Sequence, residues 1–142
     1  MYDILIDQIK SEVTKLGVKE LRTSEEVDAL LANQRGTALV FINSVCGCAG
    51  GVARPALGIA LRNPVKPDII ATVFASGDRE ATARAREYFS GMPPSSPSFA
   101  LLRDGKLVHM IHRSDIEIRD PEEVAGLLAA AFDKHCTQVA QN

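Results

Sequence analysis

The sequence lacks the patterns that would assign it to several common functional classes. Aromatic side chains make up 5% of the 142 residues, tryptophan is absent, and the formal net charge is −2. A basic surface with aromatic side chains for stacking bases is therefore not encoded, and we expect no nucleic-acid partner. No apolar run approaches the ~20 residues of a membrane span, and the amino terminus lacks the pattern of a secretory leader. We expect no membrane partner and a cytoplasmic location.

Cysteine is also scarce, and its spacing excludes a disulfide framework. The chain has three cysteines, of which two form the tripeptide Cys46-Gly47-Cys48 and the third is Cys136. Small secreted domains that depend on disulfides carry more cysteines at other spacings. Paired thiols in a reducing compartment are redox-active or bind metal. We interpret Cys136 as a spare thiol at the end of a helix.

The chain does contain enough apolar material for one hydrophobic core. Apolar residues make up 46% of the sequence, which at this length is typical of a single domain. We predict one domain over residues 1–142, with a helical extension over about 1–35 and a core over about 36–136.

The order of the predicted elements indicates an α/β fold. In chain order we predict helices over 2–16 and 24–33, a strand over 38–42, a helix over 47–62 kinked at Pro55, a strand over 69–75, a helix over 79–90, strands over 98–102 and 107–112, and a helix from Asp120 through Phe132. The Asp104-Gly105 turn predicts a hairpin between the last two strands. A βαβ unit followed by ββα predicts a compact mixed sheet with helices on both faces.

The paired thiols lie where a predicted strand ends and a predicted helix begins. The amino terminus of a helix presents unpaired N–H groups and a partial positive charge, which stabilise a thiolate and lower the pKa of a cysteine below its free value of ~8.5. After one thiol has attacked a disulfide, a second thiol two positions away can release the mixed disulfide. The pattern therefore predicts thiol–disulfide exchange.

Several segments together resemble the bacilliredoxin family over nearly the whole chain. They are residues 43–51, Ala53-Arg54-Pro55, Pro94-Ser95-Ser96-Pro97-Ser98 and residues 131–136. The resemblance implies a thioredoxin-like fold with a central mixed sheet, flanking helices and an N-terminal helical extension. It also implies a cis-proline at Pro97, facing the reactive cysteine.

The resemblance further implies an activity and its partners. Bacilliredoxins are cytoplasmic bacterial proteins that remove bacillithiol from mixed disulfides on other proteins, and they use no cofactor besides this thiol substrate. We therefore expect bacillithiolated proteins as partners, and a low-molecular-weight thiol or a reductase for recycling. By this resemblance Cys46 attacks and Cys48 resolves. Disulfide isomerisation is a second activity that the same thiols would support.

The position of the two thiols favours the same roles. We expect Cys46, at the strand end, to be more exposed than Cys48, one step into the helix. Residues two apart on a helix do not face each other, so a disulfide between them needs a distorted backbone, for which Gly47 supplies freedom. A strained disulfide is easily reduced, and we predict a more oxidising potential than that of thioredoxin.

Three further residues complete the predicted site. Pro97 and the carbonyl of Ser96 form the opposite wall, where an extended substrate segment pairs with exposed backbone. Arg54 is the candidate for drawing an anionic adduct toward the site, because a guanidinium pairs with the carboxylates of bacillithiol. The alternative for Arg54 is a surface arginine beside the Pro55 kink.

Two other functions fit the same residues. Cys46 and Cys48 are soft ligands for zinc or copper(I), with His135 and Cys136 as remote completers, although no second cysteine pair gives the spacing of a structural zinc site. The other alternative is a redox-silent thioredoxin-like module that holds an extended peptide beside Pro97.

Overall fold

The computed structural model describes residues 2–89 and 91–136. The domain limits predicted at 1 and 142, and the helix end predicted at residue 90, lie outside these residues. In chain order the elements are α1 (Tyr2–Thr14), β1 (Lys19–Glu20), α2 (Ser24–Leu31), β2 (Thr37–Asn43), a π-helical turn (Ala49–Ala53), α3 (Arg54–Ala60), β3 (Ile69–Phe74), α4 (Arg79–Glu87), β4 (Ser98–Arg103), β5 (Lys106–Ile111), α5 (Arg113–Ile116) and α6 (Pro121–His135).

The five strands form one mixed sheet with the order β1-β3-β2-β4-β5. The central strand β2 runs parallel to β3 and antiparallel to β4. The hairpin between β4 and β5 turns at Asp104 and Gly105, whose φ angles of 51° and 81° match the positive φ that a tight hairpin turn requires. The predicted mixed sheet, with βαβ followed by ββα, is confirmed.

The core lies on both faces of β2, because every residue of this strand is buried. Leu39 and Phe41 face a cluster that includes α3 and α6, whereas Val40 and Ile42 face a second cluster with α2 and α4. This alternation follows from the period of two along a strand. The strand that carries the thiols at its end is therefore held from both sides.

The segment predicted as one helix kinked at Pro55 has a different form. A π-helical turn precedes α3, and the Arg54 N–H donates to the Ala49 carbonyl five residues back. Pro55 lies in the first turn of α3, where an N–H is not needed for an intrahelical hydrogen bond. The wider π turn thus accommodates the missing donor without a break inside α3.

Two short elements were not predicted from the sequence. Strand β1 contains two residues and pairs in parallel with β3, and α5 contains four residues. Elements of this length do not establish a hydrophobic period. None of the helices in the described part of the chain has the length and apolar character that crossing a membrane requires.

We predict that Phe41→Ala lowers the free energy of unfolding by about 3–5 kcal/mol, because it leaves a cavity in the core. The Phe41 ring stacks on Phe99 with centroids 4.7 Å apart. Urea denaturation measures the change. The control is Ile118→Ala, since Ile118 is 74% exposed, and its effect should stay within ~0.5 kcal/mol. Equal unfolding midpoints for the two variants would contradict this account of the core.

Candidate active site

The predicted site residues lie at one edge of the sheet, where β2 and β5 end and β4 begins. Ile42 is opposite Ser98, and Phe99 is opposite Ile111. The segments that follow β2, precede β4 and follow β5 therefore meet at this edge. They carry the paired thiols, the Ser96–Pro97 peptide and Arg113.

Cys46 lies at the start of the helical segment, as predicted. Its carbonyl accepts hydrogen bonds from the N–H groups of Ala49 and Gly50, at 3.1 and 3.2 Å. Cys46 and Cys48 are both free thiols and both half-buried. The structure therefore does not show the predicted difference in exposure between them. They differ in surroundings instead, because Cys48 packs against the core cluster under α3 and α6.

Gly47 does not need the conformational freedom of glycine in this structure. Its φ is outside the left-handed region, and open space surrounds the position that a Cβ would take. The predicted use of Gly47, in closing a disulfide between its neighbours, concerns the oxidised protein and stays a prediction.

Hydrogen bonds to the sulfur of Cys46 favour its thiolate. The Ser44 hydroxyl donates to Cys46 Sγ at 3.3 Å. Burial by itself raises the pKa of the Cys46 thiol, but the bond from Ser44 and bonds from backbone N–H groups outweigh it. The positive charge of Arg113 acts in the same direction, and the pKa lies below its ordinary value. A thiolate is the nucleophilic form of cysteine, so this sulfur is equipped to attack a disulfide.

The opposite wall is present, with one difference from the prediction. The Ser96–Pro97 peptide bond is cis, which confirms the geometry that the resemblance implies. Pro97 is buried and Ser96 is half-buried. The Ser96 carbonyl accepts a hydrogen bond from Arg113 Nη1 at 3.4 Å, so a cation of this chain already lies against the backbone where we expected substrate.

Arg54 is buried, and both predictions for it need correction. Its side chain is 9% exposed, so it is not a surface arginine. Nη1 donates to Asn43 Oδ1 at 3.0 Å and to the Ser44 carbonyl at 2.9 Å, while Nε donates to Glu12 at 2.8 Å. Through Nε and Nη1 the guanidinium braces the end of β2, so Arg54 belongs to the interior of the fold and is not the exposed cation that an anionic adduct would meet.

Ser44 and Arg113 are the site residues that sequence reasoning missed. Ser44 carried a weak signal, because it lies two residues before the attacking thiol, within reach of a local hydrogen bond. Arg113 carried none, since it lies 67 positions from Cys46 in the sequence. The charge of Cys46 raises the pKa of Arg113, which follows from their closeness across the sheet edge.

The remote ligands of the metal alternative lie at the other end of the sheet. Cys136 lies beside Thr37, at the start of β2, and its burial raises the pKa of its thiol. The length of β2, about 20 Å for six residue steps, separates it from Cys46. His135 and Cys136 therefore cannot complete a site with the paired thiols. Over 2–89 and 91–136, no three His, Cys, Asp or Glu residues are grouped as metal ligands.

Comparison with known sequences gives full-length matches. The family model described as "Disulphide isomerase" matches residues 2–136. A bacilliredoxin of Geobacillus kaustophilus is 55% identical over 139 residues, which cover 98% of this chain and 95% of the relative. A bacilliredoxin of Staphylococcus aureus is 52% identical over 134 residues, covering 94% of this chain and 92% of the relative.

Comparison with solved structures gives thioredoxins. The mitochondrial thioredoxin 3 of Saccharomyces cerevisiae has a TM-score of 0.55 at 19% identity, covering 87% of this chain and 99% of the thioredoxin. The thioredoxin of Malassezia sympodialis has a TM-score of 0.57 at 14% identity, covering 84% of this chain and 90% of that structure. The likeness is one of fold, and it confirms the predicted thioredoxin-like fold.

We predict that Ser44→Ala raises the pKa of Cys46, since the thiolate loses one of the hydrogen bonds that stabilise it. The pH dependence of iodoacetamide alkylation, measured in a Cys48→Ser background, reports this pKa. The control is Ser76→Ala, because the Ser76 hydroxyl accepts from the Val45 N–H at 3.1 Å and thus contacts the adjacent backbone. The same shift in both variants would show that the Ser44 hydroxyl has no special role.

We predict that Arg54→Met destabilises the fold by about 2 kcal/mol, because the buried carbonyl of Ser44 loses its donor. Asn43 Oδ1 keeps the hydrogen bond from the Ser44 N–H. Thermal and urea unfolding measure this loss. The control is Glu12→Gln. Glu12 is 50% exposed, so its loss should cost less than ~1 kcal/mol. If Arg54→Met instead unfolds like the wild type and loses only exchange with anionic adducts, Arg54 is a ligand-binding residue after all.

Proposed function

Because this chain belongs to the bacilliredoxin family of thiol–disulfide oxidoreductases, we propose that it removes bacillithiol, or a similar low-molecular-weight thiol, from mixed disulfides on other proteins. The observation that supports this most is the hydrogen bond from the Ser44 hydroxyl to Cys46 Sγ, one of the contacts that lower the pKa of this thiol. A second thiol lies two positions away, at Cys48. We also propose that this exchange takes place in the cytoplasm, where thiols are kept reduced.

In the first step the Cys46 thiolate attacks the bacillithiol sulfur of the mixed disulfide. The disulfide bond between bacillithiol and the substrate cysteine breaks, and a new one forms between bacillithiol and Cys46. The substrate cysteine leaves as a thiolate and takes a proton from solvent. The substrate protein is thereby reduced, and Cys46 carries the oxidised adduct.

In the second step Cys48 resolves the adduct. Its thiolate attacks the Cys46 sulfur, bacillithiol leaves as a thiolate, and a disulfide forms between the two cysteines. Two electrons from a low-molecular-weight thiol or a reductase then restore both thiols. Open space around Gly47 leaves room for the backbone change that brings the two sulfurs together. The same pair of thiols would support disulfide isomerisation.

The surroundings of Cys46 suit a protein substrate. Val45, next to the thiol, is 45% exposed, and Met92, in the loop before Pro97, is 44% exposed. Exposed apolar side chains of this kind contribute contact area to a protein partner. We place the extended substrate segment between this apolar rim and Pro97, so that its mixed disulfide faces Cys46.

We predict that Cys48→Ser traps the adduct on Cys46. After incubation with a bacillithiol-capped protein, the mass of this variant should increase by one bound thiol. Cys46→Ser should take up none, and the wild type should release free bacillithiol and end with a disulfide. Mass spectrometry under non-reducing conditions distinguishes the three results.

The control for this experiment is Cys136→Ser. Cys136 is buried and its burial raises its pKa, so this variant should behave as the wild type. Transfer by none of the forms, with reduced thiols confirmed, would overturn the proposed exchange and favour a redox-silent peptide-binding module.

A further inference from the structure

A groove lies beside the cis peptide of the site, with Ser95 in its lining. Its walls are the loop segment 93–95, the first residues of α5, including Arg113, and Glu117, which follows the end of α5. We call it the Arg113 groove. It is open to solvent and has a volume of about 470 Å³, which is within the size range of small-molecule sites. The groove is therefore large enough for a low-molecular-weight thiol and lies outside the disulfide-forming residues themselves.

Arg113 joins this groove to the loop before β4, which lies at the end of the sheet from which the chain continues to Cys46. The side chain of Arg113 lies on the Ser96 carbonyl, 3.4 Å from Nη1, and its backbone N–H donates to the Ser95 hydroxyl at 3.3 Å. These contacts hold α5 against the loop that faces the thiol. The thiolate of Cys46 and the guanidinium of Arg113 are also close enough that the charge of each shifts the pKa of the other.

The guanidinium of Arg113 is available to an anionic ligand. The side chain is 46% exposed, and Glu117 Oε1 lies 3.4 Å from Nε. This ion pair is weak, because both partners are solvated and the arginine precedes the glutamate along the helix, which is the less favourable order. An incoming carboxylate can replace Glu117 at little cost. Arg54 differs in this respect, because it is buried and its Nε and Nη1 donate to three partners of the fold.

A second arginine, which lies on α4, contacts the same loop and adds positive charge there. Arg86 Nη2 donates to the Ser95 carbonyl at 3.2 Å. Arg86 and Arg113 thus both contact the segment that forms the groove wall. A carboxylate in the groove would be attracted by both charges, whereas an uncharged group would gain nothing from them.

We propose that Arg113 and its groove bind a carboxylate of the low-molecular-weight thiol carried by the substrate's mixed disulfide. This inference rests on the proposed function and names the residue that selects anionic adducts. Arg113 takes no part in the bond changes. It holds the small thiol so that its sulfur, rather than that of the substrate protein, faces Cys46, and the small thiol is the part transferred.

The test uses one carrier peptide that contains a single cysteine and no acidic residue. The cysteine is capped either with mercaptosuccinate, which carries two carboxylates, or with 2-mercaptoethanol, which carries none. The second-order rate constant of peptide release is measured in a single turnover with the full-length protein. Arg113→Gln should slow release from the carboxylated cap about tenfold or more, since a charge-assisted hydrogen bond is lost. Release from the neutral cap should fall less than about threefold.

Three matched variants complete the design. Arg113→Lys keeps the charge and should recover part of the rate with the carboxylated cap. Glu117→Gln frees the guanidinium and should raise that rate. Arg62→Gln removes one exposed positive charge beyond the far end of α3 and should leave both rates as in the wild type. Together they separate binding in the groove from a general effect of charge.

Several results would overturn the inference. An equal loss with both caps would mean that Arg113 acts only by stabilising the Cys46 thiolate, and unchanged rates would mean that the groove is not used. A second peptide carries an aspartate beside its capped cysteine. If Arg113→Gln slows release only from this peptide, whichever cap it carries, the carboxylate that Arg113 binds belongs to the substrate protein. Failure of the wild type on both caps would overturn this inference, whereas the proposed exchange is judged by transfer from the bacillithiol-capped protein and stands if only cap selectivity is lost.

Discussion

The arrangement of the site depends on the hydrogen bonds between the buried guanidinium of Arg54 and the end of β2. A buried charge needs hydrogen-bond partners, and here Nε and Nη1 of Arg54 donate to Glu12, Asn43 and Ser44. These contacts tie α1, β2 and α3 together at the point where the strand ends. The hydroxyl of Ser44 is thereby held where it donates to Cys46 Sγ. The lowered pKa of the Cys46 thiol therefore depends on the buried contacts of Arg54 as well as on the hydrogen bonds to its own sulfur.

The two arginines of this region show how burial separates a structural role from a binding role. Arg54 and Arg113 both donate to backbone carbonyls near the thiols. Removal of Arg54 would leave the buried carbonyl of Ser44 unpaired, so the fold depends on this arginine. Arg113 is about half exposed, so its loss would leave solvated groups that water can satisfy. A residue that the fold does not require is free to serve specificity.

The sequence was sufficient for those parts of the fold that rest on local patterns. The apolar run over 38–42, the Asp104-Gly105 turn and the start of the last helix at Asp120 each have a local physical signal, and each is confirmed. The cis bond before Pro97 came from family resemblance. The partners of Arg54 and Arg113 could not be predicted, because the sheet register brings together segments that are remote in sequence. Whether each of these arginines is buried, and therefore whether it braces the fold or can bind a ligand, depends on that register.

The chemistry of the two thiols follows from their different surroundings. A thiolate stabilised by hydrogen bonds is present at lower pH, although a lower pKa also makes each thiolate less nucleophilic. The same stabilisation makes Cys46 a good leaving group when an external thiol attacks the outer sulfur of its adduct. Cys48, packed against the core, must instead move to reach Cys46. Release by a second small thiol therefore needs no backbone change, whereas release by Cys48 does, and the balance between the two routes depends on how easily the backbone around Gly47 rearranges.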